Sequence, residues 1–136
     1  MLSFIIFLKV FVVAVVAAGQ VKQGKFTWIL GKDGLSCTEA CLSINQSCTF
    51  DQDTMQWPEE ESLRKIMDTL VVGNLNKKCI FMGNPQRVYS IGAVMSPKDW
   101  SCHGWLPGPK PGTTKCGSRR ENRRRFCQCR SERIEL

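Results

Sequence analysis

Eight cysteines lie between residues 37 and 129 of this 136-residue chain, and they constrain its fold more than any other feature. Ahead of them stands an apolar run from Phe4 to Ala18, interrupted only by Lys9. Spanning a bilayer takes about 20 apolar residues, and this run is shorter. Small residues follow at Ala17, Ala18 and Gly19, so residues 1–19 read as a secretory signal peptide, with an uncleaved membrane anchor as the alternative. An even cysteine count behind such a leader points to a disulfide framework in an oxidising compartment. The cysteines are Cys37, Cys41, Cys48, Cys79, Cys102, Cys116, Cys127 and Cys129. Eight thiols permit about 105 pairings, and sequence does not choose among them. Zinc is the rival use of paired cysteines. Neither Cys37/Cys41 nor Cys127/Cys129 has the two-residue gap usual in a zinc knuckle.

The staples answer a need. Without its leader the chain has 117 residues, enough for one domain (residues 20–130) with a thin core. Each bridge is worth about 2–4 kcal/mol, so the reduced protein is expected not to fold. The last residues, 131–136, are expected to fray.

Local patterns predict a small disulfide-rich α+β fold with two short helices, short strands and long Gly/Pro loops. Residues 25–30 (KFTWIL) read as a strand, followed by a Gly31–Gly34 turn. Ser36-Cys-Thr-Glu39 is a capping-box pattern, which starts a helix at about Cys37 running to about residue 44. Cys37 and Cys41 then face the same way one turn apart, placed to clamp the helix to different neighbours rather than to each other. Pro58 followed by Glu59, Glu60 and Glu61 opens a second helix. Leu63, Ile66, Met67 and Leu70 form its apolar face, and Gly73 is expected to end it, giving a helix over about 58–71. This reading prevails over a calcium loop, because the acidic residues of 51–61 lack the required spacing. Two strands are expected within 79–95, and residues 96–117 should be mostly loop. Residues 124–130 (RRFCQCR) alternate as a closing strand, with Cys127 and Cys129 on one face and Gln128 on the other.

Charge is unevenly placed. Residues 20–108 carry nine Lys/Arg and nine Asp/Glu, whereas residues 109–136 carry nine and three. The densest run holds Arg119, Arg120, Arg123, Arg124 and Arg125, between Cys116 and Cys127. Bridges at both ends would make it a constrained basic loop and a candidate anion-binding site, against the plainer reading of a solvated surface. In the secretory pathway its partners would be sulfated glycans, glycoproteins, another secretory protein or anionic lipid, not nucleic acid. Trp100 and Trp105 are candidates for stacking on sugars, or for core. Asn45-Gln46-Ser47 is an N-glycosylation sequon, close enough to Cys48 for early bridge closure to block it.

Catalytic signals are sparse. His103 is the single histidine, which excludes sites needing two, and it lies in an aromatic and Gly-rich stretch that favours a structural role. No phosphate-cradling glycine loop or nucleophile elbow occurs, so no cofactor, metal or catalytic residue is expected.

The cysteine spacing carries one resemblance. Gly34-x-Ser36-Cys37-x3-Cys41-x6-Cys48, then Cys79, Cys102 and Cys116, then Arg-x-Cys127-x-Cys129-Arg130, resembles the C-terminal cysteine-rich region of the N-acetylglucosaminyltransferase V family. It covers roughly residues 31–130. That family branches N-glycans in the Golgi, but its catalytic domains have no counterpart here. The resemblance therefore implies a shared accessory module, lumenal or secreted, without the transferase activity; the alternative is a partial or accessory member of that family.

Overall fold

A computed structural model describes residues 19–52, 55–82, 92–104 and 114–132. The predicted leader lies outside them except for Gly19, as do the Gly83-Asn84-Pro85 turn and Trp105. Among the described residues the chain forms two helices and seven strands, a small α+β fold tied by four disulfides. The strands are β1 (Val21–Gln23), β2 (Phe26–Leu30), β3 (Ser47–Cys48), β4 (Ile80–Met82), β5 (Val94–Met95), β6 (Ser101–His103) and β7 (Arg124–Arg130). The helices are α1 (Cys37–Leu42) and α2 (Glu60–Leu75).

The strand predicted over 124–130 is the centre of the sheet. The order is β1-β2-β7-β5-β6-β4. Along one edge β7 pairs antiparallel with β2, Leu30 opposite Phe126 and Phe26 opposite Arg130. Its other edge is shared. β3 takes the far half, Cys48 opposite Cys129, and β5 takes the near half, Val94 opposite Arg125. Both faces of β7 are covered as well: α1 lies over Cys127 and Cys129, to which it is bridged, and Phe126 and Gln128 are likewise inaccessible to solvent. Gln128 is a polar residue in that interior. Its amide is satisfied by Thr49, whose hydroxyl donates to Oε1, and by the Gln56 carbonyl, which accepts from Nε2 at 2.9 Å.

α1 starts as the capping box predicts. The Ser36 hydroxyl accepts from the Glu39 N–H at 3.2 Å, and Glu39 reaches back to the Ser36 N–H at 3.3 Å. The helix ends earlier than expected, at Leu42, because Asn45 adopts the left-handed conformation (φ 59°). Its N–H donates to Leu42 and that of Gln46 to Cys41, which closes the last turn.

α2 runs past its expected end. Gly73 lies inside it and the stop is Asn76, left-handed at φ 54°. An interior glycine costs about 1 kcal/mol, and continuing the helix past it packs Leu75 against the core. Other departures are additions. β1 and β3 are too short to show in a hydrophobic pattern, and β6 lies in the stretch expected to be loop. Glu132, expected to be frayed, accepts a hydrogen bond from the Ser47 hydroxyl at 2.6 Å.

The core gathers on this frame. Trp28, Phe50 and Trp57 form an aromatic group with ring centroids 5.5–6.2 Å apart. Leu63, Met67, Leu70 and Val71 add the buried face of α2.

Candidate functional site

The site starts from a match of two repeats. Four residues of helix rise about 6 Å and two residues of strand about 6.7 Å. Cysteines at i and i+4 of α1 therefore meet cysteines at j and j+2 of β7. The bridges are Cys37–Cys127 and Cys41–Cys129, with Cα–Cα distances of 5.3 and 5.6 Å. The two thiols of α1 do go to different partners, but both partners belong to one strand. The double clamp fixes α1 in position and direction on the sheet. Cys48–Cys116 ties β3 to the segment before β7, and Cys79–Cys102 ties the chain just before β4 to β6. All eight cysteines are bridged, so the zinc alternative falls away.

These bridges hold the arginine-rich segment at both ends, at Cys116 and Cys127. It lies against the start of α1. The Thr38 N–H donates to the Cys116 carbonyl at 3.1 Å, the Gly34 N–H to the Arg123 carbonyl at 3.0 Å, and Arg119 pairs with Glu39. The five arginines do not form one surface. Arg119 and Arg120 are exposed and Arg123 is half-buried. Arg124 is half-buried too, with Nε donating to the Gly31 carbonyl at 2.8 Å. Burial lowers its pKa, opposed by Asp33.

Arg125 is interior, at 0 % exposure. Its Nη1 donates to the carbonyls of Ser118 (2.6 Å) and Cys116 (3.3 Å), and its guanidinium lies 5.7 Å from the centre of the Phe50 ring. Burial lowers its pKa to about 10, and nearby Asp51 opposes the shift. The group stays charged at neutral pH, but its Nη1 is committed to holding the loop. The sequence run thus overstates the basic loop. Arg125 is an internal anchor, and only Arg119, Arg120 and Arg123 remain as outward charges.

Topology adds other cations that the sequence keeps far apart. β5 runs antiparallel to β7, so the turn from Ser96 to Trp100 emerges beside the start of β7. β4 is parallel to β6, with Ile80 opposite Ser101, so the chain before β4 starts from the same end. One end of the sheet therefore collects exposed Lys32, Lys77, Lys98, Arg119 and Arg120, with Arg123 beside them. The acids there include Asp33, Glu39, Asp68, Asp99 and Glu121. Three are already engaged: Asp99 accepts from the Ser101 hydroxyl at 2.7 Å, Asp68 accepts from the Cys79 N–H at 3.2 Å, and Glu39 holds the helix cap and Arg119. Hydrogen bonds from Ser36 and Ser101 lower the pKa values of Glu39 and Asp99 respectively.

Trp100 belongs to this end. It has a left-handed backbone (φ 62°), packs its ring partly on the core, and takes the Lys77 ammonium 5.7 Å from its centre. Trp105, its expected companion, lies outside the described residues. Trp28 is wholly core. His103 ends β6, paired with Val94 and Met82. Asn45 is exposed at the opposite end of β7, since Ser47 pairs with Arg130. No group of three or more His, Cys, Asp or Glu side chains converges as a metal set among the described residues.

Comparison with family models, curated proteins and solved structures finds no match to this chain. The likeness to the N-acetylglucosaminyltransferase V region rests on its cysteine spacing alone.

Proposed function

We propose that this protein is a secreted or lumenal binding module that presents a rigid basic surface to anionic partners, sulfated glycans or glycoproteins foremost. Four disulfides belong to an oxidising, extracellular or lumenal setting. No helix among the described residues is long and apolar enough to cross a membrane. The observation that carries the reading is the gathering of Lys32, Lys77, Lys98, Arg119, Arg120 and Arg123 at one end of a cross-linked sheet. Arginine offers sulfate a planar two-pronged donor, and a loop already fixed by bridges loses little freedom on binding. Trp100 supplies an aromatic face beside these charges.

Retention on a heparin column tests it. Arg119, Arg120 and Arg123 are replaced together by Gln, leaving Arg124 and Arg125 in place because both support the fold. The triple variant should elute at clearly lower salt than the wild type, and co-elution would defeat the proposal.

The cysteine spacing favours a second reading, an accessory relative of the N-acetylglucosaminyltransferase V family. Turnover of UDP-GlcNAc with a biantennary acceptor by the purified chain would establish it over the first.

A further inference from the structure

The sequon at Asn45 poses a question of timing. In the folded protein it is poorly disposed for N-linked transfer. Asn45 is locked left-handed at the end of α1, Ser47 is paired in β3, and the Ser47 hydroxyl is bonded to Glu132. Modification after folding would need that turn and the β3–β7 pairing to open.

The bridge connectivity removes this obstacle. The cysteines flanking the sequon are Cys41 and Cys48, and neither has a local partner. Cys48 closes on Cys116, 68 residues later, and Cys41 on Cys129, 88 residues later. The strand that pairs with Ser47 is β7, the last one made. At synthesis rates of about 5–20 residues per second, Cys116 follows Asn45 by roughly 4–14 seconds. Throughout that interval neither flanking bridge nor the β3–β7 pairing can form around the sequon; only the local turn at the end of α1 can. The concern that a nearby bridge blocks Asn45 therefore does not apply to this fold.

We infer that Asn45 carries an N-linked glycan, attached while the chain is still open and retained on the end of β7 opposite the basic surface. This rests on the secretory reading above. The Asn45 side-chain nitrogen attacks the anomeric carbon of a lipid-pyrophosphate-linked oligosaccharide. The new bond is N–C1 and the broken bond is C1–O. The lipid pyrophosphate leaves, and the amide nitrogen gives up one proton. The folded structure accommodates the product, because Asn45 is exposed and left-handed backbone is readily held by Asn. The seven residues of β7 span about 20 Å, which keeps the glycan clear of Arg119, Arg120 and Arg123.

The test expresses the full chain in cultured eukaryotic cells and follows peptide N-glycosidase sensitivity in total lysate and in medium. Reading the lysate keeps the result independent of folding. Wild type should lose the mass of one glycan on digestion, and Asn45→Gln and Ser47→Ala should migrate as the digested form. Occupancy should be the same with dithiothreitol in the culture and in the Cys48→Ala/Cys116→Ala pair. Protein that reaches the medium unmodified would overturn this inference and leave the secretory reading standing. Protein held in the cytosol with free thiols would overturn both. Occupancy that rises on reduction would show that bridges compete with transfer, and would refute the ordering argument.

Discussion

Cys37–Cys127 and Cys41–Cys129 should stabilise the fold less than additively when removed singly and more when removed together. The reason is connectivity. With Cys48–Cys116 intact, Cys37 and Cys127 each lie eleven residues from that bridge, so joining them closes a path of about 22 residues. The chain-entropy relation values that closure at about 3.4 kcal/mol at 25 °C. Once it is closed, Cys41 is separated from Cys129 only by four residues of helix, the bridge and two of strand. A ring of about seven residues is worth about 2.4 kcal/mol. Either bridge can act as the first, so deleting either pair to Ala costs only the smaller amount. Deleting both should cost about 6 kcal/mol, roughly 1 kcal/mol more than the two single-pair losses combined. Packing lost at each site enters the single and combined variants alike and largely cancels in the comparison. The assay is urea unfolding of wild type, the two pair variants and the combined variant. All four are measured in one sulfate-containing buffer, which strengthens burial and keeps the weakest folded. Additivity within about 0.4 kcal/mol would refute the reasoning, since independent sites add to that tolerance.

Arg125→Ala should lose about 3–4 kcal/mol of stability by denaturant midpoint, because it leaves the Ser118 carbonyl short of a donor and a void beside Phe50. A loss under about 1 kcal/mol would remove its role as an anchor. The Glu39 carboxyl is held below its ordinary value of 4.5, chiefly by the Ser36 N–H and then by the Ser36 hydroxyl. Its contribution is therefore fully present above that value and lost as pH falls through the lower folded-state one. The gap in thermal midpoint between wild type and Glu39→Gln should be widest at neutral pH and close on acidification; a gap unchanged at pH 3 would contradict this.

The sequence by itself determined the local pieces. Ser36 and Glu39 announced α1, because a capping box is satisfied within four residues. Leu63, Ile66, Met67 and Leu70 announced α2, because helical periodicity is local. The alternation of residues 124–130 fixed β7 at both ends and set Cys127 and Cys129 on one face. The even cysteine count implied bridges. What they join was decided only in three dimensions, where a helix repeat of four met a strand repeat of two. The basic site changed most. Sequence grouped five arginines by adjacency, yet β7 begins only at Arg124, so Arg125 went inside with the strand while Arg119 and Arg120, in the loop before it, stayed out. Lys77 and Lys98 joined them because β4 and β5 run as they do in the sheet. Residue type and short-range order are written along the chain. Which side chains share a surface depends on strand order and direction, and those follow from burying a common core.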